Sequence, residues 1–196
     1  ENLDSDTVKK LASDIYDDSN RLIKTVQNIL DMTRISEGKL TINRVYEAVD
    51  DIVNQTLTFI PHLKTSGRFH ISFPDEIVLV PVDGRLIVQV LVNLLDNAYK
   101  HAGEEAQVYL KVRKQGAYAV FEVSDNGIGI DSSVIDNIFD GFVSLNKNNI
   151  VDGSIDVGLG LTICKAIVTA HNGTITANNL TTGGTVFKVM LPLEAN

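Results

Sequence analysis

The chain has 196 residues, a formal net charge of −8 and one cysteine, Cys164. That length suffices for one well-buried domain with an appended element, and a lone cysteine permits no internal disulfide and fits a reducing compartment. The 44% hydrophobic share is ordinary for a globular protein, no run reaches the roughly 18 to 20 apolar residues of a membrane span, and the acidic balance argues against indiscriminate nucleic-acid binding.

The first segment reads as one long helix. Val8, Ile15, Leu22 and Ile29 recur seven apart, with Leu11, Asp18, Thr25 and Met32 at the companion heptad position. This spacing makes a narrow seam that wants a partner helix, or else lies against its own domain. Ser36-Glu37-Gly38 closes the helix, glycine being a common stop. The polar, acidic start from Glu1 to Asp18 is unlike a signal peptide.

A mixed α/β pattern follows. Leu40 to Arg44 reads as a short strand, and Val49, Ile52, Val53, Leu57 and Ile60 as a helical stripe ended by Pro61. Phe69, Ile71 and Phe73 alternate as a strand, and Ile77 to Val80 make another before the Val82-Asp83-Gly84 turn. Arg85 to Ala102 is a strongly apolar helix. Val108 to Arg113 and Tyr118 to Ser124 form a hairpin around Gln115-Gly116. Ser144 to Asp156, polar and rich in asparagine, reads as a loop. A helix from Leu159 to His171 stops at Asn172-Gly173, and its apolar run makes Cys164 a core residue. Ile175 to Ala177 and Thr185 to Leu191 then form a hairpin across Thr181 to Gly184. The pattern is α+β: a mixed sheet covered on one face by helices.

Three places carry chemistry. On the helix from Arg85, residues Gln89, Asn93, Asn97 and Lys100 fall within one narrow arc, opposite Leu91, Leu94, Leu95 and Ala98. Amide oxygens suit Mg2+, which keeps substrate phosphates as ligands, and a lysine one turn on can meet phosphate; a merely solvated polar stripe is the alternative. Asp125-Asn126-Gly127-Ile128-Gly129-Ile130 follows a strand, with glycines that let backbone approach a planar ligand and a carboxylate able to accept from an exocyclic amine. Gly158-Leu159-Gly160-Leu161 opens a helix whose free amides and dipole favour phosphate, unless it is a plain glycine turn. No Gly-x-x-x-x-Gly-Lys-[Ser/Thr] sequence occurs, which excludes a P-loop.

In this order the pieces resemble the Bergerat-type ATP-binding fold shared by histidine kinases, gyrase-type topoisomerases, Hsp90 chaperones and MutL. Asn93 to His101 resembles the N box, Asp125 to Ile130 the first glycine box, and Phe139-Asp140-Gly141-Phe142 the F box. Val157 to Leu161 resembles the second glycine box and Gly183-Gly184-Thr185 the last glycine-threonine element. Asn28 to Arg34, followed by Gly38, is similar to the second helix of a kinase dimerisation domain and its linker. The tract from Phe139 through Thr174 is most similar to KdpD-type potassium-responsive sensor kinases.

The resemblance implies a two-layer α/β sandwich over 38–196, preceded by a dimerisation-domain helix over 1–37. It implies ATP and Mg2+ as ligands. Asp125 would read the adenine amine with Thr185 helping through water, and Asn97 would chelate the metal. Asn93, Lys100 and His101 would line the phosphate channel, with Asn93 and Lys100 in catalytic roles. Gly158, Leu159, Gly160 and Leu161 would hold phosphates by backbone amides. Gly127, Gly129, Ile130, Phe142 and Lys147 would complete the nucleotide site, the last within a lid from Ser144 to Val157. The implied partners are a response regulator and a second copy through the first helix, with no direct nucleic acid. The implied location is the cytoplasmic portion of a membrane sensor, reaching the membrane only through other segments of the parent.

One position separates the subclasses. Hydrolysing members resemble each other in placing a glutamate, as general base for water, one turn before the metal asparagine; here that residue is Asn93, which takes no proton at neutral pH. This favours transfer to a histidine over hydrolysis. None of His62, His70, His101 and His171 lies in the His-[Glu/Asp]-x-Arg-[Thr/Asn]-Pro context of a phosphoacceptor, so the acceptor is expected upstream and the chain is not expected to autophosphorylate. Asp156, where the pattern has glycine, and Lys147 as the lid's one cation point to weak nucleotide affinity. The competing expectations are a nucleotide-gated ATPase switch and an interaction domain that has lost ATP.

Overall fold

A computed structural model describes residues 41–140 and 159–194, with positions 4, 7–12, 14, 15, 19, 22, 23, 26, 30 and 33 of the first forty. The chain divides into two compact units, Glu1–Leu40 and Thr41–Asn196.

In the first unit every described residue from Thr7 to Thr33 is helical. Asp4 caps the start, its Oδ1 accepting the Thr7 amide at 2.7 Å and its Oδ2 the Thr7 hydroxyl at 3.0 Å. Val8, Leu11, Ile15 and Leu22 of the predicted seam are exposed, as are Ile23, Val26 and Leu30. Asp18, Thr25, Ile29 and Met32, and the predicted stop at Ser36 to Gly38, lie outside the described residues.

The second unit contains strands β1 (Val45–Ala48), β2 (Phe69–Ser72), β3 (Leu79–Val82), β4 (Val108–Gln115), β5 (Tyr118–Asp125), β6 (Thr174–Asn179) and β7 (Thr185–Pro192). Its helices are α1 (Val49–Phe59), α2 (Pro61–Thr65), α3 (Gly84–His101) and α4 (Leu159–Ala170), with a 3-10 turn at Ile135–Asn137. The main sheet has the order β2-β4-β5-β7-β6, with β2 parallel to β4 and the other pairs antiparallel. β1 and β3 form a separate antiparallel pair.

Alternation decides which sheet face is buried. Val108, Leu110 and Val112 of β4, Ala119, Phe121 and Val123 of β5, and Phe187, Val189 and Leu191 of β7 all lie in the core. Helices α3 and α4 contact the sheet and each other, and α1 packs on α3. Tyr109 and Tyr118, on the alternate positions, remain exposed. The expected two-layer sandwich with helices on one face is the observed architecture. Pro61 ends the α1 stripe as expected, and it also occupies the first turn of α2, where its missing N–H costs nothing.

Two boundaries differ from the pattern-based expectation. The predicted strand from Leu40 to Arg44 begins instead at Val45, because Asn43 and Arg44 engage Asp83 and Ala170 rather than a ladder. The predicted strand from Ile77 to Val80 is shifted to Leu79–Val82 and runs through Pro81. A strand with a single partner tolerates that proline.

Candidate functional site

The same alternation that buries Phe121 and Val123 carries Asp125, last in β5, to the helix side of the sheet, where it is 5% exposed. Its Oδ1 accepts the Gly127 amide at 2.9 Å and the Thr185 amide at 3.4 Å. Both bonds use one oxygen, Oδ1. Burial raises the Asp125 pKa above its ordinary value, and the two amide bonds oppose that rise.

Two glycines let the chain close around this carboxylate. A Cβ on Gly127 would lie 2.1 Å from the Ala102 carbonyl oxygen, and one on Gly184 would lie 2.0 Å from the Asp125 carbonyl oxygen. Gly184 also has φ of +89°, a conformation L side chains rarely adopt. Asn179, at the end of β6, fixes the glycine turn by both backbone groups of Ile130. Its Oδ1 accepts the Ile130 amide at 2.9 Å and its Nδ2 donates to the Ile130 carbonyl at 2.6 Å. Asn126 braces the other side, accepting the Gln107 amide at 2.7 Å.

These elements enclose a cavity of about 360 Å3. Ile128, Ile130, Ile138, Leu161 and Phe187 make its apolar walls, while Asn97, His101, Asp125, Asp131 and Thr185 supply polar groups. Gly129, Ala98 and Ala102 complete the lining. Phe139 is buried and meets Phe187 edge-on at 6.3 Å, and Lys165 ties α4 to Asp140 at 2.7 Å. A wider hollow of about 500 Å3 lies on the outer sheet face around Tyr109 and Lys111, but none of its polar lining residues is buried. Convergent buried polar groups between apolar walls favour the smaller cavity as the ligand site.

The predicted arc on α3 is graded rather than uniformly solvated. Gln89 and Asn97 are half-buried, Lys100 is exposed and Asn93 is 4% exposed. Asn93 lies under the first turn of α4, where a Cβ on Gly160 would come within 3.8 Å of its amide nitrogen. Among the described residues that nitrogen has no hydrogen-bond partner. Lys100 pairs with Asp96 at 3.0 Å. His101, at the cavity rim, is held below the ordinary histidine pKa by partial burial first and then by the Lys100 ammonium, against the Asp96 carboxylate.

The structure thus brings Asn97, His101, Asp125, Gly129, Ile130, Leu161 and Thr185 around one cavity. Asn93 and Lys100 do not line it, and Gly127 and Gly160 act from behind the wall. Phe142, Lys147, Asp156 and Gly158 lie outside the described residues; Leu159 is described only as the first residue of α4. Asn179, Ile138 and Phe187 are site residues the motifs did not indicate. An asparagine closing a strand beside a glycine turn was the one available signal, for Asn179.

Residues 82–195 match the family described as histidine kinase-, DNA gyrase B-, and HSP90-like ATPase. Sensor protein KdpD of Clostridium acetobutylicum is 38% identical over 192 residues, which is 98% of this chain and 21% of that protein. The chain spans about a fifth of the length of the curated relatives it matches. Among solved structures, the Acinetobacter baumannii histidine kinase AdeS superposes with a TM-score of 0.72 at 22% identity, covering 100% of this chain and 88% of that one. Histidine kinase ThkA, solved in complex with response regulator protein TrrA, gives 0.73 at 23% identity, covering 98% of this chain and 53% of that one. With the predicted motif order, the observed fold and more than half its length matched, this chain belongs to the histidine kinase-, DNA gyrase B- and HSP90-like ATPase family.

Proposed function

We propose that the chain is the ATP-binding catalytic portion of a two-component sensor histidine kinase, which passes the γ-phosphate of ATP to a histidine for relay to a response regulator. The observation that carries this reading is Asp125: a buried carboxylate with one oxygen held by two amides, in the lining of a cavity with apolar walls, where its second oxygen is read as the one offered to a ligand. Such a group accepts from the exocyclic amine of adenine while the isoleucines of the lining cover the ring faces. Thr185, whose amide already braces Asp125, assists through water.

The phosphates extend toward α4, whose first turn, Leu159 to Leu161, offers amides and the positive end of a helix dipole. Among the described residues no cluster of three or more carboxylate, imidazole or thiol side chains stands ready for a metal. A donor set of one neutral amide fits an ion that arrives with the nucleotide, so Asn97 supplies a protein ligand to Mg2+, and the ion offsets phosphate charge. The unpartnered Asn93 amide donates toward the same side, and His101 closes the rim. Lys100 reaches phosphate by leaving Asp96, at small cost for an exposed pair. Phe142 and Lys147 belong to the cover over the nucleotide.

Phosphotransfer rather than hydrolysis follows from Asn93, which cannot act as a base for water. No described histidine is a ready acceptor. His171 is buried with both ring nitrogens engaged, His62 packs on Tyr99, His70 stacks on Tyr109, and His101 sits at the rim. The acceptor histidine belongs to the dimerisation domain of the parent, to which the first unit contributes a helix that pairs with a second copy. Among the described residues no helix is long and apolar enough to cross a membrane. The membrane tie of the parent lies in other segments, with this portion on the cytoplasmic side.

Calorimetry with a non-hydrolysable ATP analogue tests the reading: binding is expected with Mg2+, weakening sharply in Asn97→Ala. Labelled ATP should phosphorylate a longer stretch of the parent chain that includes the acceptor helix. A flat titration of the wild-type chain, or steady phosphate release without transfer, overturns it.

A further inference from the structure

Asp83 joins three segments at the end of the fold away from the cavity. It precedes α3, its backbone N–H donates to His171 Nε2 at 3.0 Å, and its Oδ2 accepts the Asn43 amide at 3.2 Å. His171 directly follows α4, is 1% exposed, and places Nδ1 2.8 Å from the Ile167 carbonyl oxygen. With Nε2 accepting, Nδ1 carries the proton and the ring is neutral. Arg44 completes the knot by donating from Nη2 to the Ala170 carbonyl at 2.7 Å. That carbonyl belongs to the last turn of α4, where helical acceptors lack intrahelical donors and a cation opposes the dipole's negative end.

The knot and the cavity lie at opposite ends of the same helix pair. From Asp83 to Asn97 is about 21 Å of helix, and from His171 back to Leu161 about 15 Å, at roughly 1.5 Å per residue. Asn97 and Leu161 both line the cavity, and Asn93 meets Gly160 just behind it. A slide of α4 along α3 by one residue, about 1.5 Å, would carry Gly160 off Asn93 and move the first turn of α4 relative to Asn97. Asp125, Gly184 and Asn179 belong to the sheet and its turns, so the adenine end is held independently of that slide.

We propose that the Arg44–Ala170 and Asp83–His171 bonds fix the axial register of α4 against α3, which makes Arg44 a positioning residue for the phosphate end of the nucleotide site. The assignment rests on the nucleotide reading above and adds to it a separation between two halves of the ligand. The stretch by which the chain enters this unit, Thr41 to Arg44, thereby sets how well phosphates are held without touching them.

Arg44→Ala and Arg44→Lys in the full 196-residue chain test this. Arg44 is only half-buried, so neither variant threatens the core. Calorimetry compares adenosine, which lacks phosphates, with a non-hydrolysable ATP analogue and Mg2+. Arg44→Ala is expected to weaken the ATP analogue about three- to tenfold while adenosine stays within about twofold, and Arg44→Lys, keeping a cationic donor, to recover most of the loss. In the ligand-free chain, amide exchange at Ile163 to Ala166 should quicken in Arg44→Ala, with β5 unchanged. Equal losses for the two ligands, or no loss for either, overturn the proposal. Should the wild-type chain bind neither ligand, the nucleotide reading fails and exchange at α4 decides the register by itself: unchanged exchange overturns it.

Discussion

Asp125→Asn exchanges one carboxylate oxygen for an NH2 group in the cavity lining. The amides of Gly127 and Thr185, 2.9 and 3.4 Å from Oδ1, select the new side chain's oxygen for that place, since an NH2 there would face two donors. Its nitrogen then stands where Oδ2 was. A 6-amino purine meets donor with donor, whereas a 6-oxo purine offers that nitrogen an acceptor. Leaving a buried donor unpaired costs about 1–3 kcal/mol, so adenosine affinity is expected to fall roughly 5- to 150-fold while inosine falls less or gains. Stability moves the opposite way. Because burial raises the Asp125 pKa, ionising this carboxylate favours the unfolded chain. The penalty is absent below the ordinary carboxylate value of about 3.9 and grows as pH climbs to the raised folded value, so at neutral pH the wild type carries it and the amide does not. The ligand-free variant should melt at or above the wild-type temperature. Calorimetry with adenosine and inosine, together with thermal melts at neutral pH, reads both effects. Equal adenosine affinity in the two proteins, or a marked drop in the ligand-free melting temperature, refutes the reasoning.

Three further outcomes are expected. Asn93→Leu removes a buried donor that has no partner among the described residues, so the ligand-free chain should be as stable or gain about 1 kcal/mol in urea denaturation while binding of the ATP analogue weakens; a clear loss of stability would show the amide to be satisfied. Gly184→Ala sets a Cβ 2.0 Å from the Asp125 carbonyl oxygen at φ of +89°, and should cost about 3 kcal/mol or more; a cost below about 1 kcal/mol in the same assay would contradict the close approach. His171, faced by Asp83 and Arg44, has its pKa lowered by burial, the Ile167 carbonyl opposing. Its contribution is therefore complete above the ordinary histidine value of about 6.5 and declines as pH falls, because the unfolded chain takes the proton first. Denaturation between about pH 7.5 and 5 should show this acid-side loss, shallower in His171→Gln, and parallel curves for the two proteins would rule it out.

Much of the sheet was legible because apolar residues recur at alternate positions along β4 and β7 and run together in β5, so the predicted strands begin where the observed ones do and stop only one or two residues short. The apolar helix predicted from Arg85 to Ala102 is off by one residue at each end, its limits marked by the Asp83-Gly84 turn and the Lys100-His101 end. Pattern misled where tertiary partners decide. Leu40 and Ile42 look like a strand, yet Asn43 and Arg44 are spent on groups 40 and 126 residues away. Asn93 falls in the right arc of α3, but its burial depends on α4, which no helical wheel of α3 contains. Asn179 acts on Ile130 from 49 residues away, a link that neither local propensity nor spacing can register.

Four of the five strands of the main sheet are two hairpins, β4-β5 and β6-β7, joined edge to edge along β5 and β7, with β2 added beside β4. Each hairpin closes over a short stretch of chain, whereas the seam pairs residues such as Ser124 and Val186 that are far apart in sequence. Local pairings assemble quickly and distant ones slowly, so the seam is the late event in folding. Asp125 and the Thr185 amide that holds it stand on opposite sides of that seam. The carboxylate proposed to read adenine is therefore in place only once the two hairpins have docked, and on that reading a half-assembled chain has nothing to offer the nucleotide. Ligand present during refolding should act after the barrier, slowing unfolding while leaving the rate of collapse untouched.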